Sequence, residues 1–220
     1  SPAISVNDLR NGGLKIGTVG KIIDGIEVVI ADDGEILCKG PNVMKGYFKE
    51  PDRTSSVMEG DYFKTGDIVA LDKDGFLKIT DRKKQMFKTS GGKYIAPQVI
   101  ESQLKQSLLI EQIMVVGEGK NRASALIQPS FEQAKIWLDE QGVSCKDDPE
   151  SLCKNELMFE KINNEIRLHD HKFGKWELVK EIRLTPEIWS IEAGHLTPTM
   201  KVKRKIVQEK YQNLVDEIYS

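Results

Sequence analysis

The sequence predicts an α+β protein in two parts, a small β-rich, barrel-like subdomain over residues 1–81 and a mixed α+β domain over residues 82–220. Three observations carry this. Between residues 14 and 80 the apolar runs are short and cut by glycine and aspartate turns, the pattern of successive strands. After Asp81 apolar residues recur at helical spacing in several segments, with β-branched runs between them. At 220 residues, 39% hydrophobic, 30% charged and a net charge of −2, the chain has the make-up of a soluble globular protein, long enough for one large or two small domains.

The strand signals run in order through KIGTVG, GIEVVIADDGEILCKG, GYF and DYFKTGDIVALDKDGFLKI. Ala31-Asp32-Asp33-Gly34-Glu35 and Asp72-Lys73-Asp74-Gly75 each place Asp and Gly between β-branched runs, the chemistry of tight hairpin turns. Ile79 to Lys88 suggests one more hairpin. Pro97 then opens a helix from its first turn, with Ile100, Leu104 and Leu108 at four-residue spacing. Strands are expected over 112–116 and 123–128, helices over about 131–141 and 150–169, and a strand near 178–184. CKDDPES at 145–151 is the most loop-like interruption. An amphipathic helix closes the chain, with Val202, Ile206, Tyr211, Leu214, Val215 and Ile218 on its apolar face.

Several function classes are disfavoured. No apolar run approaches the roughly 20 residues that span a bilayer, and the N-terminus lacks the basic start and apolar core of a signal peptide, so a cytoplasmic location is expected. Cys38, Cys145 and Cys153 are odd in number and lack a C-x-x-C spacing, which reads as reduced, unreactive thiols. The 32 basic residues meet 34 acidic ones, without the basic excess of a nucleic-acid domain.

Three constellations can carry chemistry. In Tyr62-Phe63-Lys64-Thr65-Gly66-Asp67, a carboxylate on a glycine turn can accept both hydroxyls of a ribose, and Arg82, fifteen residues on, can bond the same sugar or its phosphate. Taken alone, Thr-Gly-Asp is more often a solvated turn and Asp81-Arg82-Lys83-Lys84 a charged hairpin surface. Gly91-Gly92 lets another chain approach the backbone, or simply marks a turn. In LTPTMKVKRK, Lys201 can place an ammonium against developing negative charge. The bland reading is a basic helix start built from Lys201, Lys203, Arg204 and Lys205 that binds an anionic partner. His169, His171 and His195 have no companion set at metal spacing and receive no catalytic role, and no metal site is expected.

Taken in register, YFKTGD, DRKK, KTSGGKYIAP and LTPTMKVKRK resemble the motifs of the adenylate-forming acyl-CoA synthetase family, over essentially the whole chain. The resemblance implies activation of a carboxylic acid with ATP and transfer to coenzyme A. It implies that Asp67 and Arg82 bind the nucleotide and that Lys84 is the hinge of a mobile C-terminal domain. Gly91 or Gly92 lies against the pantetheine arm of coenzyme A, and Lys201 is catalytic. Many members carry glycine just before that lysine, where this chain has Met200. That departure, with the long stretch over residues 139–195, is similar to the long-chain fatty acyl-CoA synthetase branch, so a long-chain fatty acid is the expected substrate. The family's early Ser/Thr/Gly-rich phosphate loop does not occur in the sequence. The resemblance therefore implies the C-terminal part of a larger enzyme, inactive alone, with the Mg²⁺ ligand upstream. Peripheral contact with a membrane is compatible with it. The alternatives are an adenylating ligase for an aryl or amino acid and a non-catalytic anion-binding module.

Overall fold

The computed structural model describes residues 3–10, 12–83, 85–146 and 148–220. It is a mixed α+β structure that divides into two compact units, Ser1–Met86 and Phe87–Ser220. The hinge assignment at Lys84 lies outside the described residues. No helix is long and apolar enough to cross a membrane among the described residues.

The first unit is an antiparallel seven-stranded sheet. Its strands are β1 (Ser5–Val6), β2 (Gly20–Ile22), β3 (Glu27–Ile30), β4 (Glu35–Lys39), β5 (Met58–Glu59), β6 (Tyr62–Leu71) and β7 (Phe76–Arg82). They lie in the order β1-β2-β7-β6-β4-β3, with β5 beside β6. Both expected Asp-Gly turns form. Gly34 and Gly75 take φ of +84° and +80°, and their N–H groups donate to Ala31 and Asp72 carbonyls. These are conformations that glycine adopts without a Cβ clash. The apolar filling is thin, centred on Ile36, Val69 and Leu77.

Three features depart from the sequence reading. GYF forms no strand; residues 41–50 are turn and loop, with the Arg53 guanidinium over the Tyr47 ring at 4.2 Å. Helix α1 (Pro51–Ser56) follows, started by proline at its first turn, but it buries no residue and so has no apolar period to announce it. Residues 79–88 are not one hairpin. Ile79 to Arg82 complete β7, the Lys83 N–H closes onto the Gly66 carbonyl, and β8 (Phe87–Lys88) pairs instead with β9 (Tyr94–Ile95).

The second unit is built on a three-stranded sheet, β10 (Ile110–Val116), β11 (Ala123–Pro129) and β12 (Val179–Leu184). β10 and β11 are antiparallel; β12 runs parallel to β11, because the helices α3 (Phe131–Glu140), α4 (Pro149–Lys154) and α5 (Glu156–His169) lie in the crossover. The two-residue period sorts the side chains to two faces. Ile113, Val115, Ala125 and Ile127 join one core with α2 (Pro97–Leu104) and α5. Met114, Val116 and Leu126 join the other with Trp189, Leu196 and the closing helices α6 (Arg204–Lys210) and α7 (Gln212–Tyr219). Covered on both sides, β11 is buried along its whole length.

Helix ends differ from expectation for local reasons. α2 stops at Leu104, so Leu108 is 78% exposed and Leu109 turns inward instead. The segment 150–169 is two helices, because Asn155 leaves helical geometry and caps α5 by accepting the Met158 N–H. The last helix breaks at Tyr211, and its buried stripe is Val207, Tyr211, Val215 and Ile218, leaving Ile206 exposed.

Candidate functional site

Asp67 and Arg82 are direct cross-strand neighbours on β6 and β7, and Arg82 Nε lies 2.9 Å from Asp67 Oδ1. The pair is graded in exposure, the carboxylate side chain 23% and the guanidinium 58%. Such an exposed pair contributes at most about 1 kcal/mol to stability, so its value is orientation. The glycine turn expected before Asp67 is not a turn: Thr65 and Gly66 lie within β6, and this stretch is tied to β4. Thr65 Oγ1 donates to the Ile36 carbonyl at 2.8 Å and accepts the Asp67 N–H at 3.1 Å. Gly66 sits at φ +76°, and its N–H donates to Glu35 Oε1 at 2.8 Å. A cleft of about 660 Å³ adjoins this stretch of β6, lined among others by Glu35, Tyr47, Phe63, Gly66, Arg82 and Lys83.

Lys83 differs from the solvated surface charge suggested by its charge run. Its Nζ lies 2.5 Å from Asp33 Oδ2 and 2.7 Å from Glu35 Oε2, contacts that raise the ammonium's affinity for its proton. Glu35 was not singled out as a site residue by the sequence. Its partners stand 31 and 48 residues away, and only strand pairing brings them together.

Gly91 and Gly92 form the tip of the β8–β9 hairpin, closed by Thr89 N–H to the Lys93 carbonyl and by Gly92 N–H to the Thr89 carbonyl. The hairpin is tied to the turn after β10 through Ser90 N–H to Lys120 O and Gly119 N–H to Lys88 O. The two glycines are not equivalent. Gly92 has φ +78°, so its own backbone requires glycine. Gly91 does not, and a Cβ there would meet nothing nearer than Thr89 Oγ1 at 3.9 Å.

Lys201 is exposed on a tight loop pinched by the Leu196–Val202 bridge. Met200 N–H donates to Thr197 O, Thr197 N–H to Lys201 O, and Lys201 N–H to Thr197 Oγ1 at 3.0 Å. Met200 holds φ +60°, a left-handed conformation costly for a side chain with a Cβ. The cationic cluster is divided in role. Arg204 turns inward onto Glu101 and the Val115 carbonyl, whereas Lys201 and Lys205 face solvent. Arg204 is thereby withdrawn from the exposed basic cluster.

His195, given no catalytic role by the sequence, is 1% exposed beneath this loop. Its main-chain carbonyl accepts the Lys203 N–H, and its Nε2 lies 3.2 Å from Lys210 Nζ, which also pairs with Glu187. Burial first, then the neighbouring ammonium, depress its basicity. Cys38 and Cys153 are free thiols, and burial pushes Cys153 up to about 12.

A family profile described as AMP-binding enzyme C-terminal domain matches residues 84–220, more than half of the chain. The chain is 39% identical over 207 residues to the long-chain-fatty-acid–CoA ligase FadD15 of Mycobacterium tuberculosis, covering 94% of this chain and 34% of that protein. It is 38% identical over 192 residues to long-chain-fatty-acid–CoA ligase 1 of Homo sapiens, covering 86% of this chain and 27% of that one. The fold is shared with the A domain of carboxylic acid reductase from Segniliparus rugosus, solved with AMP and a co-purified carboxylic acid. There the TM-score is 0.73 at 20% identity, over 93% of this chain and 34% of that one. The chain thus spans about a third of the length of these relatives. Profile, identities and fold agree on one conclusion: the chain belongs to the AMP-binding enzyme family and carries that family's C-terminal domain.

Proposed function

We propose that this chain works as the C-terminal portion of an ATP-dependent, AMP-forming long-chain fatty acid:CoA ligase. Residues 1–81 are read as the β-rich end of its large domain and residues 82–220 as its mobile C-terminal domain. The observation that carries the reading is the cross-strand pair of Asp67 on β6 and Arg82 on β7, an acceptor and a donor that lie side by side at 2.9 Å and that one ribose can engage together. The 39% identity to a long-chain ligase supports the substrate class.

In the first half-reaction, the ribose hydroxyls of ATP donate to Asp67 and the Arg82 guanidinium bonds the same sugar. A carboxylate oxygen of the fatty acid attacks the α-phosphorus as the bond to pyrophosphate breaks. Lys201, carried on its pinched loop, holds the attacking oxygen and the charge that grows on the phosphoryl group. The C-terminal domain then turns about Lys84 and presents the Gly91-Gly92 tip to the pantetheine arm. The thiolate of coenzyme A attacks the acyl carbon and AMP leaves with the mixed-anhydride electrons. Of the two glycines, Gly91 is the one whose missing side chain serves the approach, since Gly92 is already accounted for by its φ. Among the described residues no group of three His, Cys, Asp or Glu side chains converges to hold a metal. The Mg²⁺ that accompanies ATP would be held by the triphosphate and by a carboxylate of the larger enzyme. The reaction is placed in the cytoplasm, where ATP and coenzyme A meet fatty acid.

The test is Asp67→Ala and Arg82→Ala in the ligase that contains this chain. Each should raise the KM for ATP, by about tenfold or more, with the carboxylate loss the larger because two hydroxyl donors lose a charged acceptor. Unchanged ATP dependence in both would overturn the ribose assignment. The 220-residue chain alone is expected to fold and to release no pyrophosphate from ATP and palmitate.

A further inference from the structure

We propose that Glu35 is a positioning residue whose carboxylate locks β6 at Gly66 and the root of the inter-unit linker into one rigid ring. This rests on the ligase reading above for its functional consequence, though not for its geometry. Glu35 opens β4 directly after the Asp33-Gly34 turn and is only 4% exposed. A buried carboxylate is costly unless both oxygens are satisfied. Here Oε1 accepts the Gly66 N–H at 2.8 Å and Oε2 accepts Lys83 Nζ at 2.7 Å. The ring closes through the backbone, because the Lys83 N–H donates to the Gly66 carbonyl at 2.8 Å. Asp33, 2.5 Å from the same ammonium, braces it from the turn.

The placement of this ring gives it its meaning. Gly66 immediately precedes Asp67, and Lys83 immediately follows Arg82. The ring therefore grips both members of the ribose pair from the residues next to them. Strand pairing alone would hold the two backbones less firmly here, since the β4–β6 ladder shifts register between Glu35 and Leu37 and the β6–β7 ladder between Ile68 and Val69. Lys83 is also the last residue before Lys84, and the first unit ends at Met86. Anchoring Lys83 fixes the stationary side of the linker, so backbone change is confined to the residues after it. A buried ion pair is weak evidence for stability, because apolar groups of similar volume serve a fold as well. What it supplies at this place is a defined geometry.

The experiment compares Glu35→Gln, Lys83→Met and Lys83→Arg in the ligase containing this chain, with ATP KM and adenylation kcat measured beside thermal melting. Glu35→Gln and Lys83→Met should each raise the ATP KM about tenfold while kcat stays within about twofold. The double variant should be no worse than either single, because both open the same ring. Lys83→Arg, which can still reach both carboxylates, should restore the KM. Folded variants with an unchanged KM, or a loss confined to melting temperature that Lys83→Arg fails to rescue, would overturn the proposal. Hydrogen exchange at the Gly66 amide in the 220-residue chain separates this from the ligase reading. If the parent ligase forms no acyl-AMP, the ligase reading fails, yet Glu35→Gln and Lys83→Met should still speed Gly66 exchange about tenfold or more. Unchanged exchange sinks the ring itself. Should Glu35→Gln fail to fold, Lys83→Met, altered at a half-exposed side chain, carries the same measurements.

Discussion

The two units stabilise their sheets by different means. In the second, three strands are covered on both faces by two apolar cores, one around Ile127 and Ile162 and one around Leu126 and Val207. In the first, seven strands share a core cluster of Ile36, Val69 and Leu77 among the described residues, with Leu71 and Ile79 half exposed. Polar ties run beside this thin core. Lys15 holds Asp72 and Asp74 across the sheet, and Lys83 holds Asp33 and Glu35. Burial is non-directional and tolerates change at the surface, whereas ion pairs and hydrogen bonds fix particular atoms. The unit that carries Asp67 and Arg82 thus has little apolar filling behind its directional contacts, whereas the second unit sets its ion pairs, such as Arg204 with Glu101 and Arg122 with Glu181, around a dense interior.

The largest expected effect would break this comparison outright. Leu126→Ala, at a fully buried position, should destabilise the second unit by about 3–5 kcal/mol, whereas Val69→Ala should cost the first unit about 1–2 kcal/mol. Denaturant unfolding followed by probes in each unit should show two separable transitions. A single coincident transition, shifted equally by both variants, would mean that the units are not stabilised independently.

Next comes the division of chemistry within the second unit. In the ligase containing this chain, Lys201→Ala should slow acyl-AMP formation by about 10²–10³-fold while thioester formation from supplied acyl-AMP survives. Gly91→Val should do the reverse. Gly92→Ala should additionally cost about 1 kcal/mol of stability, since it forces a Cβ into φ +78°. Equal loss of both half-reactions in all variants would reduce these motifs to structural supports.

Acid should separate the units as well. His195 binds its proton less readily folded than unfolded, so its contribution to the second unit is full above about 6.5 and is lost as pH falls through the depressed folded value. The groups facing it are Lys210 and Glu187. Asp72 is held down to about 2, first by Lys15 and then by the Phe76 N–H, so its contribution to the first unit is full above the ordinary carboxylate value of 3.8 and is lost progressively as pH falls from there to about 2. Melting temperatures between pH 7 and 5 should fall for the second unit, and His195→Leu should flatten that slope. A slope that His195→Leu leaves intact would assign it to another group.

The smallest effect concerns the Lys201 loop. Met200→Gly should relieve the left-handed strain and, after glycine's larger unfolded-state entropy, stabilise the second unit by about 0.5 kcal/mol. A calorimetric melt that moves downward would show that the methionine side chain holds the loop in another way.

Local signals were legible where the physical cause was local. Asp-Gly at 33–34 and 74–75 demanded hairpins, and Pro97 demanded a helix start, because a single residue's φ decides each. Helix α1 was hidden by its polarity, and the Asn155 break by a capping bond that competes with helix continuation three residues on. Leu108 fitted the stripe of α2 and still faces solvent, because the helix ends a turn earlier and Leu109 fills the core.

By itself the sequence determined the α+β class, the motif register that identifies the family, and the candidate residues Asp67, Arg82, Gly91, Gly92 and Lys201. All of these depend on residue type and on spacing along the chain. Only the tertiary structure decided that Asp67 faces Arg82, that Glu35 and Lys83 close a ring beside them, that Gly91 and Gly92 have different reasons to be glycine, and that His195 lies buried under the Lys201 loop. Those facts depend on strand register and on the hydrogen-bond demand of buried polar groups, which residues tens of positions apart satisfy only after the chain has folded.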